Sequence, residues 1–311
     1  HSSALRQVVV VCGAQVFVQI GAGFWPALLP QMMQLWSLTN SEAGWITAIF
    51  FGTYMVSVPV LVTLTDRIDA KRVYLFGVGC TVLGHLLFGL FAEGFWSAFA
   101  TRALAGMGWA GTYMTGLKLL ADQVDAKMMS RAVTGHAASI GISGAISFLL
   151  GDVLASHFGW RSAFMISAGT AAIAWIAVAS VVPRRTPPPR TKSQGGLFDF
   201  RPVVRNTSAF AYSVVYCVHT LEMSALRGWG VAFLAFVAGY TNFADQTLSP
   251  ALVVTVLALA GTLTSIIGNE ASIRFGRRQL VTAALILSIL FAGGVAIFCT
   301  ANYWLAVILL V

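Results

Sequence analysis

Ionisable side chains inside long apolar segments are the residues of this sequence best placed to do chemistry. Arg102 lies in one such segment, and His219, Glu222 and Arg227 lie in another. A charge at the centre of a membrane-spanning helix costs about 2.5–3.5 kcal/mol on insertion scales, so residues of this kind are candidates for binding a solute or a proton. His219 and Glu222 are three residues apart and share one helix face. Protonation of this carboxylate could therefore be coupled to the binding of a solute.

Other interpretations of these residues stay open. Arg102 is about two turns from the end of its segment, so its side chain could also extend to the membrane surface. Glu222 and Arg227 could form a structural ion pair within one helix. Gln15 and Gln19, four residues apart in the first apolar segment, add uncharged polar groups to one helix face.

The composition indicates that lipid surrounds most of the chain. Of the 311 residues, 58% are hydrophobic and 10% are charged, and the mean hydropathy is +0.80. Soluble domains contain about 25% charged residues, so this chain is too apolar to fold in water. The net charge of +8 comes from Lys and Arg residues that cluster in loops between apolar segments, which is typical of the cytoplasmic side of a membrane protein. Nucleic acid is therefore not an expected partner.

The motifs of metal sites and of common enzymes are absent from the sequence. It contains no His-x-x-x-His pair, no Gly-x-Ser-x-Gly motif and no Gly-x-x-x-x-Gly-Lys-Ser/Thr loop for ATP. The four cysteines are far apart in apolar segments, which is not the pattern of a metal site or of a disulfide framework. We therefore expect no cofactor and no enzymatic reaction. Movement of a solute across the membrane would have to use an ion gradient or the gradient of the solute itself.

Apolar segments of bilayer length predict nine membrane-spanning helices and the start of a tenth. Thr39 and Glu42 have the spacing of a capping box before the second helix, and Phe24-Trp25-Pro26 marks the expected end of the first. The predicted helices cover residues 8–29, 44–64, 73–91, 95–120, 132–154, 162–182, 209–237, 250–268 and 280–299, with the tenth starting at Tyr303. Nine helical residues at about 1.5 Å each cannot cross an apolar core of about 30 Å, so we expect a fragment of a longer chain.

Two charged turns occur at matching positions in the two halves of the sequence. The first contains Asp66, Arg67, Lys71 and Arg72, and the second contains Arg274, Gly276, Arg277 and Arg278. A turn repeated in this way indicates an internally duplicated membrane protein.

The first turn resembles the signature of the major facilitator superfamily, Gly-x-x-x-Asp-Arg-x-Gly-Arg-Arg, which lies between the second and third helices of that family. Val62 and Asp69 stand where the family has glycine, and Ile273 replaces the aspartate in the second turn. The segment 102–110, Arg-Ala-Leu-Ala-Gly-Met-Gly-Trp-Ala, resembles the family pattern Arg-x-x-x-Gly-x-Gly-x-Ala.

The resemblance implies an all-α polytopic membrane protein with two pseudo-symmetric six-helix bundles. The first bundle would comprise residues 1–182, and an incomplete second bundle would comprise residues 208–311, after a cytoplasmic linker at 183–207. In the family, the charged turns act as conformational gates, and helices one, four, seven and ten line a central cavity. This implies that the cavity residues for substrate and proton are Gln15, Gln19, Arg102, His219, Glu222 and Arg227.

The expected function is secondary active transport of a small polar or anionic organic solute by alternating access, coupled to protons. The alternatives are proton-coupled export of drugs or amphipathic compounds, and a transporter-like membrane sensor. We expect a monomer in the bacterial inner membrane, with lipid, the solute and protons as its partners. The basic turns and the linker would face the cytoplasm.

Four further residues lie outside this set. His85, in the third helix, is expected to be structural, and the role of His136 in the fifth helix stays open. Asp152 and Arg161 flank the turn between the fifth and sixth helices, which predicts a salt bridge that closes this hairpin.

Overall fold

The computed structural model describes residues 2–185, 201–242 and 249–310, which form helices and no strand. The helices are α1 (Ser2–Gln19), α2 (Phe24–Leu35), α3 (Asn40–Leu64), α4 (Ala70–Phe91), α5 (Phe95–Ala110), α6 (Tyr113–Ala121), α7 (Ala126–Phe158), α8 (Trp160–Val181), α9 (Arg201–Arg205), α10 (Thr207–Tyr240), α11 (Pro250–Phe275), α12 (Arg277–Phe298) and α13 (Tyr303–Leu310). Residues 186–200, the centre of the predicted linker, lie outside the described part, so the domain limits stay a prediction.

Most of these helices have the length and composition of membrane spans. Seven such spans occur in the described residues: the α1–α2 unit and helices α3, α4, α7, α8, α10 and α12. The capping box before α3 is confirmed, because the Glu42 amide donates to Thr39 Oγ1 at 3.2 Å while Glu42 Oε2 accepts from the Thr39 amide at 2.9 Å. The prediction of an all-helical polytopic protein is confirmed.

The first predicted span consists of two helices rather than one. α1 ends at Gln19, and after a short turn α2 continues to Leu35. The expected end of this span at Phe24-Trp25-Pro26 is therefore wrong, since these side chains are buried at the start of α2. The apolar pattern did not show the break because apolar residues continue from α1 through the turn into α2.

Contacts from neighbouring helices hold this break open. The Gly23 amide donates to Ser147 Oγ of α7 at 2.9 Å, and Thr170 Oγ1 of α8 donates to the Phe17 carbonyl at 3.0 Å. Backbone groups that lose their helical partners must be satisfied in this way inside a membrane.

The fourth predicted span is also broken, between α5 and α6. The backbones of Gly77 in α4 and Gly111 at the break are in close contact, since a Cβ built on Gly77 would lie 2.6 Å from the Gly111 Cα. Immediately after the break, the Tyr113 carbonyl lies 3.0 Å from His136 Nε2 of α7. Both interrupted spans belong to the first bundle. Each break lies in the interior of its span rather than at either end of it.

Helices α4 and α8 are antiparallel, and a basic side chain at the start of each binds the end of the other. The Lys71 ammonium, at the start of α4, donates to the carbonyls of Ala179 and Val182 at 2.8 and 2.5 Å. The last carbonyls of a helix lack partners within the helix and carry its negative dipole end, so a cation there is favourable.

The second of these caps replaces the expected salt bridge between Asp152 and Arg161, which is wrong. The Arg161 guanidinium donates to the carbonyls of Gly89, Leu90 and Ala92 at the end of α4, at 3.1, 3.0 and 3.3 Å. The guanidinium thus satisfies carbonyls at a helix end that have no partner within the helix, where a cation is also favoured by the helix dipole.

The charged turns lie at one end of the molecule. Asp69 caps α4, with its Oδ1 accepting from the Lys71 amide at 3.0 Å, and its φ of −51° explains why this position needs no glycine. Gly276 in the second turn has a φ of +90°, a conformation that favours glycine. Because α11 runs antiparallel to α7, this second turn lies at the same end as the start of α7.

The two halves of the chain meet mainly toward the opposite end. The Leu149 amide of α7 donates to Thr255 Oγ1 of α11 at 3.1 Å, and Ala27 of α2 packs in one cluster with Leu234 and Val237 of α10. Residues 210–219 of α10 are exposed, whereas the buried residues of α10 all lie in its second half, at Gly228, Gly230, Val231, Leu234 and Val237. Within the described residues, the space between the halves is therefore open on the side of the charged turns.

Replacing Lys71 by Met should destabilise the protein, because two carbonyls at the end of α8 lose a charged donor. A hydrogen bond to a charged group contributes about 1.5–3 kcal/mol, so we expect the free energy of unfolding to fall by about 2–3 kcal/mol. Arg72→Met is the matched control, since Arg72 is exposed in the same turn. Thermal unfolding in detergent micelles measures both variants, and equal midpoints would contradict the capping role.

Candidate functional site

A cavity lies between the first bundle and helix α10, beside the break that follows α1. It encloses about 640 Å³, including its open mouth. Its polar lining comes from Gln19, Thr47, Arg102 and Arg227, and no acidic side chain lines it among the described residues. The cavity is therefore electropositive.

Arg102 is the most unusual residue of this cavity. Its side chain is 3% exposed, and its Nε and Nη1 atoms are buried without a hydrogen-bond partner. The guanidinium carbon lies 4.3 Å from the centroid of the Phe50 ring, a cation–π contact that covers one face of the group. The interpretation of Arg102 as a side chain that reaches the membrane surface does not fit this burial.

Glycines of the Arg-x-x-x-Gly-x-Gly pattern bring the helices around Arg102 together. A Cβ on Gly106 would collide with the Phe50 carbonyl and Thr53 Oγ1 of α3, and a Cβ on Gly108 would lie 2.7 Å from the Thr81 amide of α4. Thr53 Oγ1 also donates to the Ala103 carbonyl at 2.9 Å. These contacts fix α5 against α3 and α4, and so place Arg102 over Phe50.

Aromatic rings form one wall of the cavity. The Trp109 ring lies 5.0 Å from that of Phe50, 6.2 Å from that of Phe51 and 5.4 Å from that of Tyr54. Trp109 Nε1 is a buried donor without a partner. Trp109 and Arg102 line the same cavity, so two side chains of α5 with unpartnered buried donors lie in its wall.

The break between α1 and α2 supplies a third side of the cavity. Gln19 is the last residue of α1, and Gly23 is in the turn that follows. Both residues line the cavity. At the turn, the Gln19 side chain and the backbone around Gly23 face the cavity, where a continuous helix would place apolar side chains. Trp25 Nε1 donates to Thr47 Oγ1 at 2.9 Å, which joins α2 to α3 beside the cavity.

The structure brings together only some of the residues expected from the sequence. Gln19, Arg102 and Arg227 line one cavity. Gln15 is buried elsewhere in the bundle, where its Oε1 accepts from the Tyr74 hydroxyl at 3.1 Å. The spacing of the two glutamines places both on one helix face. Because α1 ends at Gln19, however, Gln19 lines the cavity whereas Gln15 contacts Tyr74.

His219 and Glu222 lie outside the cavity lining. Both side chains are exposed on α10, and Glu222 accepts a hydrogen bond from Ser288 of α12. The open interpretation of a structural Glu222–Arg227 pair is not supported, since the described salt bridges do not include it. The roles of His219 and Glu222 stay predictions.

The gate residues of the two turns are mostly exposed. Asp66, Arg67 and Arg72 are exposed, whereas the buried Lys71 caps α8. In the second turn, Arg274, Gly276 and Arg278 are exposed, and the side chain of Arg277 lies outside the described part. Their role as a conformational gate therefore stays a prediction.

Several cavity residues escaped the sequence analysis. Phe50 and Phe51 lie in the second span, which was not expected to line the cavity, and Trp109 was noted only as part of a motif. Thr47, Phe50 and Phe51 have the spacing of one helix face, which is a signal that the sequence contained.

Comparison with known families assigns the chain. Residues 11–311 match the profile of the Major Facilitator Superfamily. The chain belongs to the major facilitator superfamily. Its members are transporters rather than enzymes, and as a member of this superfamily the chain is an integral multi-pass membrane protein. Both charged turns and the Arg102 motif lie within the region that matches the family.

Curated relatives in this superfamily are about a quarter identical to the chain over the residues that align. Protein spinster homolog 1 of Homo sapiens is 26% identical over 67% of this chain and 41% of its own length. The uncharacterized MFS-type transporter YbcL of Bacillus subtilis is 26% identical over 65% of this chain and 54% of its own, and the niacin transporter NiaP of Acinetobacter baylyi is 25% identical over 55% and 39%. The chain spans about half the length of such relatives.

Solved structures confirm the superfamily fold. A bacterial homolog to the human lysosomal transporter spinster, in an inward-facing and unoccupied conformation, has a TM-score of 0.74 at 17% identity and covers 99% of this chain and 72% of that one. The nucleoside transporter NupG has a TM-score of 0.70 at 15% identity, with 100% and 78% covered. At these identities the likeness concerns the fold alone.

Gly106→Ala should loosen the contact that positions Arg102. The new methyl group must push α3 away, and overpacking of this kind costs about 1–3 kcal/mol. Gly79→Ala is the matched control, because nothing lies within 4 Å of a Cβ there and Ala is favoured over Gly within a helix by about 1 kcal/mol. In thermal unfolding, Gly106→Ala should melt below the wild type, and Gly79→Ala should not. A Gly106→Ala variant as stable as its control would contradict the close packing of α3 and α5.

Proposed function

We propose that the protein is a secondary transporter that carries a small organic anion through the membrane by alternating access, coupled to protons. The observation that carries this proposal is the buried Arg102 guanidinium, which has two nitrogens without partners in the wall of a cavity. A buried charge without a protein counter-ion is costly, and an anionic ligand offsets that cost.

The rest of the cavity supports an anion over a cation. Arg227 supplies a second positive charge, and Gln19, Thr47 and Trp109 supply neutral donors. Carboxylate, phosphate and sulfonate groups accept hydrogen bonds from all of these side chains.

The relatives agree with a small organic solute without identifying it. One is named a niacin transporter, and a protein of the same fold is named a nucleoside transporter. The aromatic wall formed by Phe50, Phe51 and Trp109 would pack against the organic part of such a solute.

Alternating access fits the way in which the halves meet. They touch away from the charged turns and leave the cavity open on the turn side. Rocking of one bundle against the other around a midplane site would close this side and open the opposite one. We propose that the charged turns, with Asp66, Arg67, Arg274 and Arg278, regulate this movement.

The sequence offers two candidates for the site of proton coupling, Glu222 and His219 on the same face of α10. Glu222 lies outside the cavity and accepts a hydrogen bond from Ser288. A direct effect of its protonation on a solute beside Arg102 therefore requires a link through α10. Glu222→Gln, which cannot ionise, tests this link by comparing solute exchange with accumulation driven by a pH gradient.

A second function, export of amphipathic compounds, is favoured by the aromatic wall. Rings of Phe50, Phe51, Trp109 and Phe148 line the cavity and would accept many apolar shapes. In that case, the affinity for neutral amphipathic compounds would equal or exceed that for small anions and would not depend on Arg102.

The membrane context of the proposal follows from the charges. Basic turns face the cytoplasm in most membrane proteins, so we place the turns at 66–72 and 274–278 on the cytoplasmic side of a bacterial inner membrane. We propose a monomer whose partners are the solute, protons and lipid.

Arg102→Met should abolish the preference for anions. Removing one charge-assisted hydrogen bond costs about 1.5–3 kcal/mol, or about ten- to a hundredfold in affinity. Equilibrium binding to purified protein in nanodiscs measures nicotinate and benzoate against their neutral counterparts nicotinamide and benzamide. The wild type should prefer the acids, and the variant should not. A variant with unchanged affinity for the acids, or a wild type that binds none of them, would contradict the proposal.

Cysteine labelling should place both charged turns on the cytoplasmic side. In a background without the four native cysteines, Arg72→Cys and Arg278→Cys should react with a membrane-impermeant maleimide only after the cell is opened. Glu93→Cys, in the loop between α4 and α5, should react in intact cells. Labelling of Arg72→Cys in intact cells would reverse the orientation.

A further inference from the structure

His85 lies in a small chamber that adjoins the cavity of Arg102. The chamber is lined by Gln19, Phe50, Thr81, His85 and Thr112, among others. Gln19 and Phe50, together with Ala22 and Trp109, also line the main cavity, so the two spaces share a wall. The chamber lies between the break that follows α1 and the break that precedes α6.

The imidazole is held in one orientation. His85 is 3% exposed, and its Nδ1 lies 2.7 Å from Ser167 Oγ of α8. The edge that contains Nδ1 and Cε1 is pressed against the first break, because a Cβ on Gly21 would lie 2.6 Å from Nδ1. Nε2 points away from Ser167, and so His85 has a ring nitrogen that can take up a proton.

The surroundings of His85 contain one charged group within the described residues. α5 contributes Arg102, because Gly84, next to His85, packs on the α5 backbone beside it: a Cβ on Gly84 would lie 3.1 Å from the Thr101 carbonyl. α8 contributes Ser167 and the Phe164 ring, whose centroid lies 5.9 Å from that of the imidazole. The other polar or aromatic residues of the chamber wall are neutral: Gln19, Phe50, Thr81, Trp109 and Thr112, the last of which lies in the break before α6.

The nearness of His85 to the unpartnered Arg102 couples the binding of a proton to the binding of an anion. Two positive charges in a dry site repel each other strongly, so a charged Arg102 opposes a second charge on His85. An anion bound to Arg102 removes this opposition and attracts the imidazolium. By reciprocity, a proton on His85 must then strengthen the binding of the anion by the same factor.

We propose that His85 binds the proton that is coupled to transport of the anionic solute. This inference depends on the proposed anion site at Arg102. The proton passes from water to the free ring nitrogen, forming an N–H bond and an imidazolium beside the bound anion. Release of the anion on the other side of the membrane restores the repulsion from Arg102 and expels the proton. Anion and proton would thus travel together in the same direction.

The same bundle provides a matched control in His136. This side chain is also buried, at 4% exposed, and its Nδ1 has no partner. Its Nε2, however, contacts the Tyr113 carbonyl at 3.0 Å, and it lines neither the chamber nor the cavity. A general effect of losing a buried histidine would therefore appear in His136→Gln as well as in His85→Gln.

The test measures benzoate binding by calorimetry between about pH 5.5 and about pH 7.5, in two buffers with different ionisation heats. The wild type should take up a proton with each benzoate, and its affinity should be at least about tenfold higher at the low end of this range. His85→Gln keeps a polar group for Ser167 but cannot ionise. It should bind benzoate with an affinity that changes less than about twofold with pH and with no proton uptake. His136→Gln should behave like the wild type.

The outcomes separate this inference from the function on which it depends. Proton uptake that persists in His85→Gln, with benzoate binding still dependent on Arg102, overturns the role of His85 and leaves the anion site standing. Loss of uptake in Glu222→Gln instead assigns the proton to α10 and also overturns it. Benzoate binding that is absent, or unaffected by Arg102→Met, overturns the anion site and this inference with it. In full-length protein in liposomes, His85→Gln should still exchange benzoate but fail to accumulate it in response to a pH gradient.

Discussion

The unpartnered positive charge of Arg102 is the constraint on which the rest of the first bundle depends. A guanidinium that is 3% exposed would normally be paired with a carboxylate or bound to several carbonyls. Here it contacts the Phe50 ring and leaves two buried nitrogens unused. Unused donors of this kind are costly in an apolar site, so their presence in a cavity wall is explained most directly by a ligand that supplies the missing acceptors.

The helices around Arg102 are built to keep this charge in place. Gly106 and Gly108 allow α5 to approach α3 and α4 closely, and hydroxyl groups such as Thr53 Oγ1 join the backbones. The break after Gln19 opens the opposite wall and is stabilised by Ser147. Farther away, Lys71 and Arg161 join α4 to α8 at both ends of this helix pair.

The sequence predicted the parts of this protein that depend on composition and local motifs. Apolar length predicted the spans, the capping box predicted the start of α3, and the Arg-x-x-x-Gly-x-Gly pattern singled out Arg102. The breaks at Gly23 and Gly111 were missed because tertiary contacts, rather than local sequence, create them. Glu222 shares a helix with Arg227, yet helix rotation turns it toward α12, and no pattern in one sequence reports that rotation.

The most direct test of the anion site is a structure of the protein with 4-bromobenzoate, in which the bromine gives an anomalous signal. The account predicts a carboxylate within about 3 Å of the Arg102 guanidinium, with the bromine directed toward the Phe51 and Trp109 side of the cavity. A bromine peak outside this cavity would contradict it. So would a structure in which Arg102 is paired with a carboxylate of the protein itself.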